Sequence, residues 1–196
     1  MLKRRFALAC FLAFSVLALV ACGSSGNSDE SQIEEAIETS ATSTDPADCT
    51  KLQTQHFMEQ TTQESGKAAV AKCEEEAEKE EGAESASVSN VEAGGSSATA
   101  EAALTGGGLG GQTVEVALVK DGEQWKLDEV VKFTNFDRAK LVEYFKEEFS
   151  KASSELPAKL AGCFIEVFKE GSQAEIEELL LSRSTEGLEE VAEACR

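Results

Sequence analysis

Basic residues are scarce in this chain. Lysine and arginine number 18 against 37 aspartates and glutamates, a formal net charge of −19. Nucleic acid needs a basic surface to replace its counterions, so it is excluded as a partner. An electrostatic grip on anionic lipid is excluded on the same ground. The acidity reads as a solvated, soluble surface. Histidine is scarcer still. His56 stands alone and no two cysteines lie close in sequence, so neither a metal site nor a cofactor is expected. The run Gly106-Gly107-Gly108-Leu109-Gly110-Gly111 lacks the Lys-Ser/Thr of a phosphate-binding loop and is read as a flexible hairpin loop. The acidic run Glu74 to Glu81 lacks the alternating Asp/Asn and central glycine of a calcium loop and is read as a solvated helix end.

One long apolar run is present, and it is short for a membrane span. Phe6 to Ala21 is 16 residues with only Cys10 and Ser15 less than fully apolar, where a spanning helix needs about 20. Lys3, Arg4 and Arg5 precede it, and polar Gly23 to Ser28 follows with no basic stop-transfer cluster. That is the plan of a cleaved secretory signal, residues 1–21. The run ends in Leu19-Val20-Ala21-Cys22, which resembles the lipobox of bacterial lipoproteins. The resemblance implies a diacylated (palmitate-type) Cys22 and a chain anchored on the extracytoplasmic face of a cell membrane or outer membrane. One acyl chain binds only marginally; two hold stably, at about 0.8 kcal/mol per buried methylene. Losing three basic residues with the signal takes the net charge from −19 to −22.

Cys10 leaves with the signal and Cys22 takes lipid, so four cysteines remain in a compartment where disulfides persist. Three pairings are possible. Two cysteines lie in each half of the mature chain, which favours the local pairs Cys49–Cys73 and Cys163–Cys195. Each would stabilise by roughly 3–4 kcal/mol in the chain-entropy account.

Residues 22–31 read as a flexible tether, and Ile33 to Ile37 is weakly helical. Pro46 suits the first position of a helix capped by Asp45. Cys49, Leu52 and Phe57 recur at helical spacing, and Ala69, Val70, Cys73 and Ala77 repeat it in a second helix. The period then falls to two. Strands are expected at Ser85 to Glu92, through Ala98, Ala100, Ala102 and Leu104, and through Val114, Val116 and Leu118. A fourth carries Trp125, Leu127, Val131 and Phe133 on one face, after a hairpin at Asp121-Gly122. Beyond Phe136 the pattern is helical again. Its apolar stripes are Leu141-Phe145-Phe149, Leu156-Leu160-Phe164-Phe168, Ile176-Leu179-Leu180 and Leu188-Val191-Cys195, the last after a Ser184 cap. The expected class is therefore α+β: N-terminal helices, a curved four-stranded antiparallel sheet, then an all-α segment over 136–196. That segment is either a second small domain or a cover for the sheet.

The stretch Val116-Ala117-Leu118-Val119-Lys120-Asp121-Gly122-Glu123-Gln124-Trp125-Lys126-Leu127-Asp128 closely follows a final hairpin typical of exported lipoproteins of the nuclear transport factor 2-like (cystatin-like) superfamily. The resemblance covers about residues 32–135. It implies a cone-like sheet curled round helices, with a pocket that some members use for isomerase, dehydratase or hydrolase chemistry and others for binding. Two residues are candidates for that pocket. His56 lies seven positions after Cys49 and so shares that helix face; the resemblance makes it a candidate general base, and a partly buried or surface histidine is the favoured reading. Glu129 would lie on the apolar face of a regular strand with a raised pKa; a bulge would turn it outward instead, and the bulge is favoured. No catalytic constellation is expected. The function expected is a non-enzymatic binding or accessory module of the cell envelope, held to the membrane through Cys22, with an envelope protein or a small apolar ligand as its partner. A pocket enzyme on the same fold is the alternative.

Overall fold

The computed structural model describes residues 25–79, 82–151, 157–182 and 186–195. The signal, Cys22, Leu156 and Ser184 lie outside these residues. The described elements run α1 (Ser25–Thr42), α2 (Ala47–Leu52), α3 (Gln55–Thr62), α4 (Lys67–Glu78), β1 (Ser85–Gly94), β2 (Ser97–Thr105), β3 (Thr113–Asp121), β4 (Gln124–Asn135), α5 (Arg138–Lys151), α6 (Ala158–Glu170), α7 (Gln173–Leu181) and α8 (Glu186–Ala194). The four strands form one antiparallel meander in chain order. The class is α+β, with helices before and after the sheet.

Helix α1 begins inside the segment expected to be a tether, and residues 25–31 are its first turns. Ile33, Ala36 and Ile37 are buried, the spacing that sends one helix stripe into a core. Ser28, Glu30, Ser31 and Gln32 before them are exposed on the helix, in a stretch whose composition is that of a linker. Asp29 fixes this end. Its Oδ1 accepts from Lys120 Nζ at 2.6 Å and from Trp125 Nε1 at 3.3 Å. These donors hold the Asp29 carboxyl below its usual 3.8. A carboxylate depressed in the folded state stabilises it above the unfolded pKa, and that contribution fades as pH falls through the folded value. Acidification below about pH 4 is therefore expected to reduce amide protection at residues 29–33. Asp29→Asn should show the reduced protection at neutral pH and little further loss in acid.

The second departure is a break between α2 and α3. Gln53 is extended and forms a parallel bridge to Leu127, and Thr54 N donates to Leu127 O at 2.9 Å. Thr54 then caps α3, its hydroxyl accepting from Phe57 N at 3.1 Å. Cys49 and Phe57 therefore belong to different helices. Pro46, expected as the first residue of α2, stands at its N-cap instead, and Asp45 sits one place earlier with Oδ1 accepting from Ala47 N at 3.0 Å.

Strand β4 bends through register shifts opposite the pairs Thr113/Val114, Glu115/Val116 and Ala117/Leu118. Bulges of this kind re-aim side chains and increase twist. One falls at Asp128, and Glu129 pairs with Ala117 beside it. The buried face is therefore Trp125, Leu127, Val130 and Phe133, while Val131 is 40% exposed. The expected place of Val131 in the core is thus corrected to Val130. The same bends point the outer backbone groups of Leu127, Val130 and Phe133 at neighbours that stand in for a fifth strand. Leu127 meets Thr54. Val130 exchanges two bonds with the Gln60 side chain, at 2.7 and 2.9 Å. Phe133 N donates to Glu177 Oε1 at 2.7 Å, and its carbonyl accepts from Gln173 Nε2 at 2.9 Å. A bare edge strand is an aggregation hazard; here helices α3 and α7 cover it.

The C-terminal helices share the sheet's core. Leu141, Val142, Ile165, Phe168 and Ile176 join the buried cluster of sheet and α1 residues. Phe145 stacks on Phe168 at 4.4 Å between centroids. Buried Gln112 accepts from Asp137 N at 2.7 Å and donates to Asp137 O at 2.9 Å, fixing the start of α5 to β3. Among the described residues two disulfides are present, Cys49–Cys73 joining α2 to α4 and Cys163–Cys195 tying the chain beyond α8 to α6.

Candidate functional site

A cavity of about 440 Å³ lies between the sheet and the helices, within the range of small-molecule sites. Its floor is apolar sheet: Ala102 and Leu104 of β2, Val114 and Val116 of β3, Leu127 and Val130 of β4. Ile37 and Ala41 of α1, Phe57 and Gln60 of α3, and Ala77 of α4 form one wall. The Cys49–Cys73 disulfide lines the same wall. Tyr144 and Phe145 of α5, with Leu180 and Leu181 of α7, form the other. The C-terminal segment is thus part of the cavity.

The rim is built from Ser43, Asp45 and Asp48, Glu76, Gly82-Ala83 and Gly106 to Gly108. The glycine run, expected to be a loose hairpin tip, is packed. A Cβ on Gly107 would stand 2.9 Å from Gly82 O, and one on Gly110 would stand 2.7 Å from Gly106 O. Gly111 N donates to Leu104 O at 2.7 Å. Glycine permits this close approach of backbone to backbone, so the run makes a wall.

The charged residues that line the cavity are Asp45, Asp48 and Glu76, all acidic. Asp48 accepts from Ser43 Oγ at 2.6 Å and from Lys51 Nζ at 3.3 Å. The Ser43 hydroxyl first, then Lys51, holds its carboxyl below the usual 3.8. Glu76 lies 3.7 Å from Lys72. Both lysines sit outside the lining, so the carboxylates are what the cavity presents.

Neither sequence candidate lines the cavity. His56 lies on the first turn of α3, half-exposed, with Nδ1 3.5 Å from Asp128 Oδ2. Asp128 also accepts from Thr54 Oγ1 at 2.8 Å. The break at Gln53-Thr54 ends the helix whose face His56 was expected to share with Cys49. Glu129, half-buried beside the bulge, is likewise away from the lining. Uncharged polar residues do line the cavity, among them Ser40, Gln53, Gln60 and Thr61, and of these Gln60 is the buried one, 3% exposed. Its signal was its place: Phe57, Gln60 and Thr61 stand at i, i+3 and i+4, which sets an amide on an apolar face. Among the described residues no cluster of His, Cys, Asp and Glu has metal-site geometry. No family model, curated protein or solved structure matches this chain.

Proposed function

We propose that the mature protein is a lipid-anchored module on the extracytoplasmic side of a membrane, and that its cavity binds a small apolar molecule of neutral or positive charge. The observation that carries the reading is the cavity itself: an apolar chamber of about 440 Å³ with a polar rim. Among the described residues the lining holds three acidic side chains and no basic one, which disfavours an anionic ligand. The lipobox-like Leu19-Val20-Ala21-Cys22 supports the anchor. Helices followed by a bulged antiparallel sheet over a pocket support kinship with the nuclear transport factor 2-like superfamily. His56 and Glu129 stand off the lining, which favours binding over pocket catalysis.

Titration with a neutral fluorescent apolar probe, N-phenyl-1-naphthylamine, tests this. The protein should bind the probe with saturation. Dodecylamine should displace it at lower concentration than dodecanoate does. Ala102→Phe fills the floor and should weaken binding at least about tenfold, the scale set by losing 1.4 kcal/mol. Ala77→Trp fills the cavity from its α4 wall and should do the same if the first variant folds poorly. Equal binding by folded forms of both variants would refute the assignment of the cavity.

A further inference from the structure

We propose that the anchored protein stands with two β-hairpin turns toward the bilayer and its cavity mouth pointing away, so that the ligand enters from the aqueous side. This rests on acylation at Cys22, and it goes beyond that reading by giving the anchored domain an orientation.

Two independent features of the fold set the direction. The first is the polarity of α1. Its N-terminal end is pinned by Asp29 to Lys120 and Trp125, which flank the β3–β4 turn. Its C-terminal end delivers Ser40, Ala41 and then Ser43 to the cavity. Eighteen residues of helix separate the ends by about 27 Å. The second is the meander. Turns of an antiparallel meander alternate between its two ends. The β1–β2 turn (Gly94 to Ser97) and the β3–β4 turn (Asp121 to Gln124) share one end, where Lys120 N donates to Ser96 O at 2.9 Å. The β2–β3 glycine loop lies at the other end and forms part of the cavity rim.

Cys22 is three residues before α1 begins. Three residues reach at most about 11 Å, less than half the length of α1. The hairpin end is therefore held near the lipid head groups, and the mouth is held roughly a helix length above them. Gly94, Gly95, Ser96 and Ser97 carry no apolar side chain, and Asp121 and Glu123 are exposed and acidic. This end faces the head groups without inserting.

Trp125 is the only tryptophan in the chain and lies at the hairpin end, so it is a ready fluorescence donor. The acylated, full mature protein is reconstituted into phosphatidylcholine vesicles containing a small fraction of dansyl-phosphatidylethanolamine. Energy transfer from Trp125 should be several-fold more efficient than from a donor moved to the mouth by Trp125→Phe with Thr44→Trp. A second measurement leaves Trp125 in place. Benzoylphenylalanine substituted for Glu123 should photocrosslink to lipid, and the same group substituted for Thr44 should not. Equal or reversed transfer, or lipid crosslinking at position 44, would overturn the orientation while leaving the anchor intact. Intact mass of the same sample separates the two readings: a chain with no acyl mass at Cys22 removes the anchor and this proposal with it.

Discussion

Replacing Gln60 with alanine is expected to cost about 4 kcal/mol and to loosen three elements together. The side chain is 3% exposed. Its Oε1 accepts from Val130 N at 2.7 Å, and its Nε2 donates to Val130 O at 2.9 Å and to Leu181 O at 2.6 Å. Truncation strands one backbone N–H and two carbonyls. Each stranded group costs roughly 1–3 kcal/mol, relieved in part by water entering from the cavity. The loss falls where β4 has no neighbouring strand, so nothing else in the sheet replaces those bonds. Folded domains are stable by only about 5–15 kcal/mol, so the effect is a large share of the whole. Urea denaturation should show a lower midpoint with an unchanged slope. Gln60→Glu keeps the acceptor for Val130 N and loses both donors, so it should not rescue. A cost under about 1 kcal/mol would mean that water replaces the amide freely and that the side chain is not the strut joining α3, β4 and α7.

The strands were largely legible because the alternation of Val114, Val116 and Leu118, and of Ala98, Ala100 and Ala102, matches their burial residue by residue. The two polar residues Asp128-Glu129 signalled a bulge. They did not signal the further shift that follows, which places Val130 inside and Val131 outside. Two adjacent valines look alike to a period-two reading, and only the register with β3 chooses between them. The break at Gln53-Thr54 was hidden for a related reason. Cys49, Leu52 and Phe57 all face the interior, but the short extended link reaches that result through a backbone bond to Leu127, 73 positions beyond Thr54. A pocket was expected only from the superfamily resemblance, and the residues that line it were not legible. Ala102, Val114, Val116 and Leu127 each read as ordinary core, and a void is a property of how helices α1, α3, α5 and α7 stand off the sheet. Single residues do not announce it. The acidic rim was visible only as separate charges in unrelated segments.

The two disulfides should not be equivalent, although the chain-entropy account treats them alike. Their sequence separations are 24 and 32, which in that account gives each about 3–4 kcal/mol, slightly more for the longer loop. Their surroundings differ. Cys49 and Cys73 are buried together with Met58 and Ala69 and line the cavity wall, so parting them releases α2 and α4 from the body of the fold. Cys163–Cys195 holds the chain beyond α8, a nine-residue helix that buries none of its own residues. Cutting it frees an element that carries little of the shared core, and local opening of such an element need not propagate. Cys49→Ser with Cys73→Ser should therefore lower the melting temperature by about 10 °C and abolish probe binding. Cys163→Ser with Cys195→Ser should change the main melting transition little and preserve binding, while amide protection over 186–195 is lost. Equal thermal losses in the two double variants would place α8 inside the cooperative core, and retained probe binding without Cys49–Cys73 would show that the cavity wall stands on packing alone.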